Sequence, residues 1–232
     1  MRARNSEGYE APVGISVDPV VLAPRDGRLD VLLVPRHSEP DAGRWALPGG
    51  FASEDEPLAT TAQRKLTEKT GVGTVYLEQL ATYGDPGRDP RGWMAAVAWL
   101  ALIDATVLRE DETEARWFAV TRLPPLALDH DRMIADGVER LRGKLWWSNI
   151  AVGLLPERFT LAEARRLYES ITGVRYEVSN FRRTLEQSGL LRATAESRQG
   201  VTGRPARLYE FVDRTPSWSR RRSRMPATLG GS

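Results

Sequence analysis

Seven residues at fixed spacings between Gly50 and Val72 constrain this chain more than any other stretch. They are Gly50, Glu56, Arg64, Leu66, Glu68, Gly71 and Val72. Together they describe a glycine turn, a charged helix and a glycine stop. Residues 57–70 read as the helix, with Leu58, Ala62 and Leu66 repeating at i+4 and Gly71 ending it. Glu68 lies one turn from Arg64 and is placed to pair with it. Lys65 and Lys69 interleave with these two.

Around that helix the chain reads as strands. Residues 13–22 and 29–34 are aliphatic or β-branched runs, and Asp26-Gly27 between them signals a hairpin turn. Residues 40–43 are loop, residues 44–47 a short strand, and Pro48-Gly49-Gly50 a tight turn. Further strands fall at 75–83, 94–105 and 115–119, with a turn-rich loop at 84–92. Mixed strands with one well-marked helix predict an α/β or α+β sandwich over residues 13–125. Residues 1–12 read as a loose terminus. Pro124-Pro125 breaks the chain, and residues 131–145 space Met133, Ile134, Val138, Leu141 and Leu145 as a helix leading into a second unit.

Charge divides the chain at the same place. Residues 1–150 hold 18 Lys and Arg against 23 Asp and Glu, whereas residues 151–232 hold 15 Arg against 8. A basic back half suits an anionic polymer, although solvated domains often differ in charge without such a partner. The chain has no cysteine and two histidines, which excludes thiolate metal sites and disulfides and argues against a histidine-built metal site. No apolar run has membrane-spanning or signal-peptide character, so a cytoplasmic protein without membrane contact is expected.

The back half, residues 131–214, reads as a linker helix followed by two helices and a hairpin. Thr160 caps one helix with Glu163 three residues on, its apolar face is Leu161, Ala164, Leu167, Tyr168 and Ile171, and Gly173 stops it. Residues 177–179 lead into a second helix, 180–187, which buries Phe181 and Leu185. That helix and its approach offer Ser179, Asn180, Arg182, Arg183 and Thr184 for base or phosphate contacts, since Arg matches guanine and Asn matches adenine. Strands at 190–195 and 207–212 flank a loop carrying Arg198, Gln199, Thr202 and Arg204, with Arg207 just beyond it. Helix, turn, helix and basic hairpin together make an α+β winged helix-turn-helix. Residues 215–232, with Arg220-Arg221-Arg222, read as a disordered basic tail, either an electrostatic aid to DNA binding or merely solvated.

The Gly50–Val72 pattern resembles the Nudix box, G-x5-E-x7-R-E-U-x-E-E-x-G-U, with U aliphatic; Lys65 and Lys69 stand where two of its core glutamates belong. The loop Arg88-Asp89-Pro90-Arg91-Gly92 resembles one found in ADP-ribose-type Nudix enzymes; taken alone it is a turn-forming loop. With Phe159-Thr160-Leu161, Asn180-Phe181-Arg182-Arg183, Gly203-Arg204-Pro205-Ala206 and Leu208-Tyr209, the whole resembles the Nudix-related transcriptional regulators of bacteria, the NrtR type.

That resemblance implies an α/β/α Nudix sandwich ahead of the winged helix-turn-helix. It also implies a homodimer, joined through the Nudix domain, that represses NAD biosynthesis or salvage genes by binding double-stranded operator DNA. The expected effector is ADP-ribose or a related nucleotide, held by Arg36, Trp45, Gly49, Gly50, Phe51, Arg64, Lys65, Glu68, Lys69, Arg88 and Arg91. Trp45 and Phe51 either stack on a base or pack in the core. Three glutamates would gather −3 of charge for a magnesium ion, where Lys65, Glu68 and Lys69 sum to +1. No metal or cofactor and no hydrolysis are therefore expected, and the lysines are expected to meet the diphosphate instead. Two other readings are an active ADP-ribose pyrophosphatase with an accessory domain, and a nucleotide-binding protein whose basic domain contacts RNA or protein.

Overall fold

The computed structural model describes residues 14–72, 76–103, 108, 112–199 and 205–214. The expected loose terminus, the wing-tip residues Thr202 and Arg204, the last positions of the 94–105 strand and the basic tail lie outside the described residues. The chain divides into two compact units, Met1–Ala23 with Asp30–Val138, and Pro24–Leu29 with Glu139–Ser232.

In the first unit, seven strands among the described residues form one sheet, ordered β3-β2-β1-β6-β5. They are β1 (Gly14–Arg25), β2 (Arg28–Pro35), β3 (Trp45–Ala46), β4 (Gly50–Phe51), β5 (Tyr76–Tyr83), β6 (Met94–Leu102) and β7 (Arg116–Ala119). β1 and β6 run parallel, from Gly14 beside Met94 to Leu22 beside Leu102. β4 pairs with β1 and β7 with β2, both antiparallel. The β1–β2 turn puts Asp26 at φ 45° and Gly27 at φ 77°, the left-handed pair that a two-residue hairpin requires. β1 is buried on both faces over Val17–Ala23 and is apolar throughout, except at Asp18.

Two helices cover the sheet. Helix α1 (Leu58–Thr70) buries Leu66 with Val21, Ala23, Leu32, Val34, Ala101 and Trp117. Helix α2 (His130–Lys144) approaches the opposite face, where Gly137 sits so close to Val20 that a β-carbon would meet Val20 Cγ1 at 2.9 Å. Val20 and Val21 point to opposite faces because side chains alternate along a strand. Helix, sheet and helix make the expected α/β/α sandwich. α2 begins in the first unit and ends in the second.

The second unit builds on aromatic packing. Trp146 stands edge-on to Tyr168, Tyr176 and Phe181 at centroid distances of 4.8, 5.2 and 5.9 Å. Tyr168 donates its buried hydroxyl to the Leu145 carbonyl at 2.7 Å. Helix α3 (Leu161–Thr172) carries the predicted capping box: Glu163 N–H donates to Thr160 Oγ1 and Thr160 N–H to Glu163 Oε2. Helix α4 (Val178–Gln187) starts two residues earlier than expected, because the Glu177 carboxylate accepts from the N–H groups of Ser179 and Asn180. A three-stranded sheet, β8-β10-β9, completes the unit from β8 (Phe159–Thr160), β9 (Leu191–Arg198) and β10 (Ala206–Phe211). β8 was not expected, and β9 runs on to Arg198, three residues beyond the predicted strand. Among the described residues no helix is long and apolar enough to cross a membrane.

Candidate functional site

In the first unit a cleft of about 250 Å³ opens where β1, the end of β2, the Gly49–Gly50 turn, the end of α1 and the loop before β6 converge. Six of the eleven expected effector residues line it: Arg36, Gly49, Gly50, Phe51, Lys69 and Arg91. Gly49 has no substitute, since a β-carbon would fall 2.1 Å from Asp18 Oδ1 and 2.5 Å from the Val17 carbonyl oxygen. Phe51 is 47% exposed, with the Arg91 guanidinium 5.2 Å from its ring centroid, which leaves an apolar face at the cleft rim.

The basic residues come from three separate elements. Arg36 follows β2; its Nε donates to the Pro40 carbonyl, and its buried Nη2 has no hydrogen-bond partner among the described residues. Lys69 closes α1. Although the residue as a whole is exposed, desolvation at the cleft wall lowers the pKa of its ammonium, and the charges of Lys65 and Arg36 add to the effect. Arg91 donates to both oxygens of buried Asp89, whose carboxyl is thereby held below the usual range.

Five expected residues stand elsewhere. Trp45 packs edge-on to Phe118 at 4.7 Å, which is the packing alternative for that ring. Arg88 is buried in an ion pair with Asp129, just ahead of α2, where it ties the loop to the helix. Arg64 bonds Glu56 through Nε and Nη2, and Glu68 through Nη1 at 2.8 Å. Lys65 donates to the other Glu68 oxygen at 3.0 Å and packs its stem against Gly50. Arg64 first of all holds the carboxyls of Glu56 and Glu68 below their usual range. Among the described residues no group of three or more His, Asp or Glu is gathered as metal ligands.

Asp18 and His130 also line the cleft and were not anticipated. Asp18 is buried and accepts from the Ser16 hydroxyl at 2.7 Å. His130 is 4% exposed, and its Nδ1 accepts the Leu47 N–H at 3.0 Å. Burial lowers its pKa, so the ring is neutral, with its proton on Nε2. A charged residue inside an apolar strand was the available signal for Asp18; nothing local marked His130.

The second unit presents a separate polar face. Ser179, Arg182 and Arg183 are exposed on α4, with Asn180 and Thr184 half-buried beside them. Arg182 is tied to Glu186 at 3.0 Å, whereas Arg183 Nη2 donates to Asn180 Oδ1 at 2.7 Å. Arg198 ends β9 and does not project from a loop; it pairs with Glu163 at 2.7 Å and donates to the Arg158 carbonyl. Gln199 and Arg207 are exposed at the base of the wing.

Both units have known counterparts. Residues 15–137 match the NUDIX domain family and residues 151–211 the NrtR DNA-binding winged helix domain. The ADPR responsive transcriptional repressor NtrR of Acinetobacter baylyi is 36% identical over 212 residues, 88% of this chain and 84% of its own. Shewanella oneidensis NrtR complexed with a 27mer DNA is 38% identical at a TM-score of 0.74, covering 85% of this chain and 93% of that one. The NUDIX domain of the same Shewanella protein, complexed with ADP ribose, is 37% identical at a TM-score of 0.52, covering 59% of this chain and 93% of that domain. With both domains matched in the same order and over most of its length, the chain belongs to the NrtR family of Nudix-domain transcriptional regulators.

Proposed function

We propose that this protein is a cytoplasmic DNA-binding repressor of NAD biosynthesis or salvage genes that senses ADP-ribose or a related nucleotide. The observation that carries the reading is the face of α4: Ser179, Arg182 and Arg183 stand exposed on a capped helix set between a helix-turn and a wing. Such a helix enters the major groove, where Arg183 and Asn180 meet base edges or phosphates. Arg198, Gln199, Thr202, Arg204 and Arg207 supply the wing's contacts.

Two copies pair through their Nudix domains and read a palindrome, which requires recognition helices roughly 34 Å apart, one turn of the duplex. The effector must bind the free dimer better than the DNA-bound dimer if it is to release the operator.

The Nudix unit holds the nucleotide without cleaving it. A magnesium ion needs several oxygen ligands. Glu56 and Glu68, the box carboxylates that remain, are both occupied by Arg64, and Glu68 by Lys65 as well. The residues present do not fit such an ion. A mobility-shift assay on the protein's own promoter region, with and without ADP-ribose, tests the regulatory reading. AMP release from ADP-ribose in magnesium tests the hydrolytic alternative. A shift that ADP-ribose relieves, with no AMP formed, is the expected result.

A further inference from the structure

We infer that Lys69 and Arg36 neutralise the ligand's diphosphate directly, so that this cleft binds its nucleotide without a divalent cation. The inference rests on the reading of the cleft as a nucleotide site. Two independent features of the geometry support it.

The first is an unmet donor. Arg36 lines the cleft, and its Nη2 is buried with no hydrogen-bond partner among the described residues. A buried donor left unpaired is unfavourable, and a phosphate oxygen satisfies it with a charge-assisted bond. The second is uncompensated charge. Of the cleft's two buried carboxylates, Asp89 is neutralised by Arg91, whereas Asp18 accepts from the neutral Ser16 hydroxyl and offsets one of the two charges of Lys69 and Arg36, leaving one in excess. Glu56 and Glu68 do not line the cleft and are held by Arg64 and Lys65. Lys69 and Arg36 therefore line the open volume together, while Lys65, one turn back on α1, is paired with Glu68. Desolvation is the first cause of the lowered pKa of Lys69, and its like-charged neighbours Lys65 and Arg36 add to it, outranking the nearby Asp18 and Glu68. An anion between these groups relieves that repulsion. A metal ion placed there would add to it.

The test is calorimetric titration of the full chain with ADP-ribose, in EDTA and in excess magnesium. The affinity should be the same in both buffers. Lys69→Gln should weaken binding about tenfold or more in both, the scale expected for losing a charge-assisted hydrogen bond, and Lys69→Arg should restore it. Binding in magnesium alone, or Lys69→Gln at wild-type affinity, overturns the inference and leaves the nucleotide reading standing. No binding in either buffer overturns both.

Discussion

Arg183 donates from Nη2 to Asn180 Oδ1 at 2.7 Å, three residues back along α4. The bond aims a guanidinium and a carboxamide at the same patch near the helix start, whereas Arg182 is turned away to Glu186. Arg183→Ala should weaken operator binding by about 1–3 kcal/mol, the usual worth of a bidentate base contact. Arg182→Ala should weaken it less. Mobility shifts measure both, and circular dichroism should show both variants folded. Equal shifts for Arg183→Ala and wild type would remove α4 from the reading role.

Gly49→Ala should collapse the cleft, because the added carbon meets Asp18 Oδ1 and the Val17 carbonyl far inside contact distance. Overpacking of this kind costs about 1–3 kcal/mol. The variant should unfold at a lower temperature and lose ADP-ribose binding together. A variant that keeps both the wild-type melting temperature and nucleotide binding would show that the turn relaxes freely.

The box and the capped helices were legible because their signals are local. Gly50 to Val72 fixes a turn, a helix and a stop within one stretch, and Thr160 with Glu163 marks the start of α3 within four residues. β8 escaped because two residues carry no periodicity; it exists only where β10 supplies partners at Leu208 and Tyr209. The cleft was legible in part. Arg36, Phe51 and Lys69 could be named from the box and its flanks, but His130 reaches Leu47 from 83 positions away. The choice between stacking and packing for Trp45 likewise depended on Phe118, a tertiary neighbour that no local pattern places.

His130 should make the protein less stable as pH falls. Burial lowers its folded pKa below the usual 6.5, with Arg88 and Arg36 pushing the same way and Asp18 and Asp129 opposing. Above about pH 6.5 the ring is neutral in both the folded and unfolded states, and it contributes no pH dependence. Below that, the unfolded chain binds a proton that the folded chain refuses, so stability drops by up to about 1.4 kcal/mol per pH unit until the folded pKa is passed. Urea denaturation between pH 8 and 5 measures the slope. His130→Asn should flatten it, and a slope unchanged in that variant would assign the effect to other groups.

Lys69 should make nucleotide affinity pH-dependent in the opposite range. Its pKa lies below the usual 10.5 through desolvation first and then through Lys65 and Arg36, with Asp18 and Glu68 partly offsetting them. A bound diphosphate stabilises the ammonium and raises that pKa, so the complex holds the proton at pH values where the free cleft has released it. Between the two pKa values binding takes up a proton, and affinity falls by up to about tenfold for each unit of rising pH. Titration with ADP-ribose between pH 7 and 10, in two buffers of different ionisation enthalpy, reads the uptake directly. Lys69→Arg should abolish it, because guanidinium stays charged throughout. Equal proton uptake in wild type and Lys69→Arg would place the titrating group elsewhere in the cleft.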